Sequence, residues 1–178
     1  MFISPFGGDW TYNGTPPWAG AMVLDAVEPG TRTWGWIGYR HSIPLWYVWD
    51  VAYWRDRYNR GRERAVRGDL VRSPVTFDDG EDRGNLDGVL GYVGDEGEVW
   101  PSLRLAALRR GLQDRVLLEE LERCAGREAA EGIAAEVVPR SLGDVGRRDG
   151  VSWRESDAEF ERGRLRLIER LMRCVGGG

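Results

Sequence analysis

The hydrophobic pattern changes character along the chain. In the first third the apolar residues are largely aromatic and are broken up by Gly and Pro, whereas from about residue 100 onward they recur at helical spacing between charged residues. FISPF near the start reads as a short strand, followed by the irregular stretch GGDWTYNGTPPWAG. After the turn at Pro29-Gly30, residues 31–41 (TRTWGWIGYRH) predict a short helix, because Trp34, Ile37 and His41 fall three and four residues apart. Gly35 and Gly38 lower its intrinsic propensity but permit close approach to a neighbour. Residues 43–50 (IPLWYVWD) form a nearly continuous apolar run, rich in aromatic and β-branched side chains, which predicts a strand covered on both faces. Residues 60–86 are polar without periodicity and read as a long loop, and residues 87–93 (DGVLGYV) as a second short strand.

The second half predicts three helices. WPSLRLAALRRGLQDRVLLEELERC carries Pro101 near its start, where a missing N–H costs little. Its apolar face is expected at Leu105, Leu108, Leu112, Val116, Leu117 and Leu121, with Gly111 as a close-packing position. A helix over about 127–138 places Ala130, Ile133, Ala134, Val137 and Val138 on one side. After a breaker-rich connection from Pro139 to Ser152, the last helix starts at Ser156, which with Glu159 has the spacing of a capping box. Its core face is expected at Phe160, Leu165, Ile168, Leu171 and Met172, and Gly176, Gly177 and Gly178 should fray.

Composition narrows the chemistry. The 178 residues include 25 basic and 29 acidic side chains and have a net charge of −4, so the chain does not have the basic balance of a dedicated nucleic-acid binder. No apolar run approaches the ~20 residues needed to span a bilayer, and MFISPFGGDW has neither the charged nor the apolar segment of a signal peptide. Every cationic side chain other than His41 is Arg, which excludes Schiff-base and lysine-base chemistry. The two cysteines, Cys124 and Cys174, sit near helix ends and read as buried or half-buried thiols, without the pattern of a disulfide framework or a zinc site. The acidic stretch DDGEDRGNLDG lacks EF-hand spacing, so neither a metal nor another cofactor is indicated. His41 stands without a nucleophile motif, which leaves carboxylates as the only groups for any catalysis.

DGVLGY, a short Gly- and acid-containing turn, and then PSLRLAALRRGLQDRVLLEEL together resemble the C-terminal end of the glycoside hydrolase family 123 catalytic domain and the related domain of unknown function 4091. Pro101, Ser102, Leu103, Arg104 and Leu105 match the family's helix start, and Gly111, Leu112, Gln113 and Asp114 match a later turn, with Gln in place of Glu. Arg110 lies beside the position where the family has arginine. GWIGYRHSIPLWYVWDVAYW looks like the family's helix followed by an aromatic-ended strand, so the resemblance covers roughly residues 10–123. It implies an α/β fold, the C-terminal portion of a (β/α)8 TIM-type barrel, with FISPF, IPLWYVWD and DGVLGYV as late barrel strands. The domain division that follows is a barrel part over residues 1–124 and a C-terminal helical extension over 125–178.

In this family a substrate acetamido oxygen attacks the anomeric carbon, an Asp orients it, and a neighbouring Glu protonates the leaving oxygen. The resemblance places that Asp-Glu pair before Met1, and makes the missing N-terminal part of the barrel the expected protein partner. Asp95-Glu96 lies in a Gly-flanked turn and Glu81-Asp82 has the wrong order, so no catalytic residue is assigned within the chain. The candidate carbohydrate-binding residues are Trp49, Asp50, Tyr53 and Trp54, at or past the end of the first strand, and Tyr92 near the end of the second. An aromatic ring offers a pyranose both an apolar face and a polar rim, and active sites of barrels lie at the C-terminal ends of strands. About half of these aromatics should be packing, since alternate strand residues face opposite ways. Arg104 and Asp114 read as a helix-face salt link or a cap. Two functions follow: part of a glycoside hydrolase acting on carbohydrate, including N-acetylhexosaminides, or a non-catalytic carbohydrate-binding or structural remnant.

Overall fold

A short helix at the start of the described core is held by its own threonine. The computed structural model describes residues 19–20, 29–46, 51, 75–78, 83–85, 89–93, 96–141 and 151–176. A 3-10 turn, Gly30–Arg32, runs directly into α1, Thr33–Arg40. The Thr33 hydroxyl donates to the Gly30 carbonyl at 2.9 Å and accepts from the Gly20 N–H at 2.8 Å, tying the helix start to an upstream segment. Every residue of α1 from Thr33 to Tyr39 is buried. This helix therefore lacks the polar outer stripe of a surface helix and must be surrounded.

Two short antiparallel pairs follow. β1 (Val75–Asp78) pairs with β2 (Arg83–Asn85), and β3 (Gly91–Val93) pairs with β4 (Val99–Pro101), with Tyr92 directly opposite Trp100. The chain leaves β4 into α2, Leu103–Ala125, capped by Ser102. The Ser102 hydroxyl accepts from the Leu105 N–H at 3.2 Å and donates to the Leu90 carbonyl at 2.8 Å, so the cap also fastens the helix to the entry of β3. Gly126, with φ of +86°, closes α2 and lets α3, Arg127–Val137, turn back at once. α4 spans Asp157–Gly176.

One hydrophobic cluster joins these parts. It runs from Ala19 through Trp34, Trp36 and Ile37 of α1 to Leu118 and Leu121 of α2, Ile133 and Val137 of α3, and Phe160 and Leu167 of α4. α2 is the central element and packs against α1, α3 and α4. Gly35 and Gly111 make the tightest crossing. A Cβ on Gly35 would lie 1.7 Å from the Gly111 carbonyl oxygen, and one on Gly111 would lie 2.2 Å from that of Arg32. The close approach expected of these two glycines is therefore the observed contact.

The expected fold class is corrected. The described residues form a helical assembly with two separate two-stranded antiparallel sheets, not part of an α/β TIM-type barrel. Residues 43–46 of the expected strand 43–50 have no regular ladder, and 47–50 lie outside the described residues, as does FISPF. The strand expected at 87–93 is present as β3, but a turn through Gly97, with φ of +89°, folds the next segment back against it. Closing a loop of a few residues costs far less entropy than a parallel pairing, which needs a long crossover. Within the expected loop 60–86, β1 and β2 form a short pair.

Two helix faces are also corrected. On α2 the buried positions are Gly111, Asp114, Leu118 and Leu121, while Leu105, Leu112 and Val116 are 37%, 44% and 51% exposed. On α4 the buried positions are Phe160, Gly163 and Leu167, and Leu165 and Met172 point to solvent. The apolar face expected for 127–138 is buried at Ala130, Ile133, Ala134, Val137 and Val138.

Candidate functional site

A buried carboxylate organises the centre of the helices. Asp114 has no solvent exposure and is the one fully buried acidic side chain among the described residues. Its Oδ2 accepts from Arg32 Nε at 3.0 Å and from Trp36 Nε1 at 2.9 Å, and its Oδ1 accepts from Arg164. Helical geometry explains the convergence. Arg32 and Trp36 lie four residues apart, facing α2 from the 3-10 turn and α1, and Gly111, one turn before Asp114, removes the side chain that would keep α1 away. Arg32 extends the network to α4, donating from Nη1 to Asp157 at 2.8 Å and to Glu161 at 2.7 Å. Arg110 donates to the same Glu161 at 3.1 Å.

Burial by itself lowers the pKa of Arg32, but Asp114, Asp157 and Glu161 outweigh it and the net shift is upward. For Glu161, partial desolvation pushes upward, while hydrogen bonds and charge from Arg110 and Arg32 bring the carboxyl below its ordinary range. The Arg32 guanidinium also lies 5.7 Å from the centre of the Phe160 ring. Such a network holds helices in one arrangement. With three donors around it and no solvent exposure, the Asp114 carboxylate is not open to a substrate.

The second arrangement is on the surface. Directly opposed residues of an antiparallel pair share one face, so Tyr92 and Trp100 stand side by side on the β3–β4 hairpin. Trp100 is 52% exposed and Tyr92 half-buried. The Arg104 guanidinium covers the Tyr92 ring at 5.9 Å while its Nε donates to the Val89 carbonyl at 2.9 Å. Arg104 is thus a brace between the hairpin and the first turn of α2, rather than the helix-face salt link or cap expected for it. Asp114 likewise exceeds its expected role, being buried among three donors.

Between α3 and α4 lies a groove of about 640 Å³, floored by Ala125, Ala129, Gly132 and Ile133. Its walls carry Glu128, Glu136 and Glu169 with Arg166, Arg170 and Arg173. Arg166 pairs with Glu136 across it. The charges balance, so the groove has no preference for either sign of ligand. At its end Cys124 of α2 and Cys174 of α4 form a disulfide, with Cα atoms 6.3 Å apart. This corrects the expectation of two unpaired thiols: α3 reverses the chain, so the C-terminal ends of α2 and α4 meet.

Of the sequence-predicted carbohydrate residues, Tyr92 is within the described structure, whereas Trp49, Asp50, Tyr53 and Trp54 lie outside the described residues. Glu96, the acid of the rejected Asp95-Glu96 pair that is described, is exposed in the turn before β4. His41 sits at the end of α1, where burial first and the neighbouring Arg40 second lower its pKa. Arg32, Trp100 and Glu161 do not stand out in the sequence as site residues. For Trp100 a signal exists, since it falls two residues before the capping Ser102. For Arg32 and Glu161 there is none, because their partners lie 82 and 129 positions apart in sequence. No grouping of three potential metal ligands occurs among the described residues, and none of their helices is long and apolar enough to cross a membrane. Neither a protein-family model nor a curated protein matches the chain.

Proposed function

We propose that the chain serves a glycoside hydrolase of the family 123 kind as a helical scaffold that contacts carbohydrate without supplying the proton-transfer groups. The observation that carries this reading is the Tyr92–Trp100 pair. An indole more than half exposed, beside a phenol on the same hairpin face, matches the apolar face and polar edge of a pyranose. Support comes also from the residues of the family resemblance, whose work here is mechanical: Ser102 caps α2, Arg104 braces the hairpin, Gly111 admits α1, and Asp114 gathers Arg32, Trp36 and Arg164.

Calorimetry of the purified chain with soluble N-acetylhexosamine oligosaccharides tests this. Binding is expected, and Trp100→Ala should weaken it several-fold, as befits a stacking contact of about 1 kcal/mol, with the same unfolding midpoint. Turnover of a chromogenic N-acetylhexosaminide that disappears on changing one carboxylate of this chain would overturn the scaffold reading. Absence of binding at millimolar sugar would overturn the carbohydrate reading.

A further inference from the structure

The Cys124–Cys174 bridge lies where the non-covalent packing of α4 ends. Phe160, Gly163 and Leu167, the buried residues of α4, all belong to its first eleven positions. Beyond them Leu171 touches the core, while Met172 is 71% and Val175 79% exposed. Arg166 pairs with Glu136, but Arg170 and Arg173 make no ion pair among the described residues. The last two turns of α4 therefore rest on one partly buried leucine and one covalent bond.

The bridge is also open to chemistry. Cys124 is exposed and Cys174 half-buried, so a thiolate can reach the former sulfur from solvent. The chain holds two cysteines in all, so reduction cannot be followed by reshuffling within it.

We infer that the Cys124–Cys174 disulfide is a thiol-exchangeable clamp: closed, it docks the last two turns of α4 against α2 and α3; open, it releases them and widens the α3–α4 groove at the end lined by Ala125 and Arg173. The reductant is a dithiol. Its first thiolate attacks the Cys124 sulfur, the S–S bond breaks, and Cys174 leaves as a thiolate that takes up a proton. Its second thiolate then attacks the mixed disulfide and expels Cys124. Two electrons and two protons pass from the dithiol, which becomes a cyclic disulfide, to the protein, which becomes a pair of thiols.

Hydrogen exchange with mass spectrometry on the full chain, with and without dithiothreitol, reads the clamp directly, and iodoacetamide labelling counts its thiols. No labelled cysteine is expected in the oxidised protein and two in the reduced one. On reduction, amides over residues 168–176 should exchange about tenfold faster or more, with those over 108–121 unchanged. The Cys124→Ser/Cys174→Ser double variant should match the reduced protein. Two labelled cysteines in air-oxidised protein, equal exchange in both states, or acceleration spread over residues 108–121 as well would each overturn the inference.

Discussion

The two halves of α4 are held by different physics. The N-terminal half offers Asp157, Phe160, Glu161, Gly163, Arg164 and Leu167 to the centre of the molecule, and each has a partner there or is packed within the core. The C-terminal half presents Met172 and Val175 to water and is joined to the rest chiefly by Leu171 and the Cys124–Cys174 bridge. A helix does not need a continuous apolar face to stay docked. Where side-chain burial gives out, a covalent link can replace it, because it constrains the unfolded chain and is largely indifferent to the solvation of its surroundings.

The sharpest way to break this contrast is to remove the acceptor at the centre. Asp114→Ala leaves Arg32 buried beside an empty acceptor position and frees the Trp36 N–H and Arg164. It should cost about 3–5 kcal/mol, as expected when one member of a buried ion pair is deleted, read as a fall in the denaturant midpoint. A loss below about 1 kcal/mol would mean the network contributes little to holding the helices.

A smaller effect is expected of Gly163→Ala. The new methyl would lie 2.7 Å from Val137 Cγ2 and 2.9 Å from Trp36 Cη2. Overpacking of that kind costs about 1–3 kcal/mol, partly offset by a helix-propensity gain of up to ~1 kcal/mol. Gly132→Ala on α3 has nothing within 4 Å and should keep that gain in full. Opposite signs for the two substitutions in thermal unfolding would separate packed from open glycine sites; equal signs would contradict the packing described for Gly163.

Acidification should destabilise the fold in two windows, one set by His41 at the end of α1 and one by Glu161 on α4. The His41 pKa is lowered in the folded state, so the unfolded chain binds the proton preferentially below the ordinary value of 6.5, and stability falls as pH drops from there through the folded pKa. The Glu161 pKa is also lowered, so its contribution is present above the ordinary 4.5 and is lost as pH falls through its folded value. Denaturation curves between pH 7 and 5 should therefore slope downward, and His41→Gln should flatten that slope while leaving the lower window in place. An unchanged slope in the variant would remove His41 from the account.

The smallest effect is expected at the exposed end. Met172→Ala should shift stability by no more than about 0.5 kcal/mol, and Arg127→Ala, which breaks a solvent-screened pair with Glu131, should leave the unfolding midpoint essentially unmoved. A larger loss at Met172 would show that the outer half of α4 is buried against something.

The helices were legible because their signals are local. TRTWGWIGYRH, the Ser102 start of α2, and the apolar positions of α3 each lie within a few turns of chain, and the structure has a helix at each. Gly35 and Gly111 were readable as close-packing sites because a glycine inside a helical pattern costs propensity that a close backbone contact can return. The apolar stripe of α2 misled. Leu105, Leu112 and Val116 outnumber the leucines that are buried, yet the helix turns its Gly111–Asp114 side inward, where Arg32 of the 3-10 turn and Trp36 of α1 find their acceptor. Tyr92 kept its place on a strand, but its neighbour on that face, Trp100, emerged only once β4 was known to fold back.

Periodicity, caps and breakers thus fixed where the chain is helical, because those features act over three to seven residues. Which side of each helix faces inward, the pairing of Cys124 with Cys174 across 50 residues, and the meeting of Arg32 with Asp114 and Glu161 depend on distant segments arriving together. A side chain's worth at such a site is set by the desolvation and the partners it finds there. Those partners exist only after the helices have crossed at Gly35 and Gly111, so the tertiary structure alone decided them.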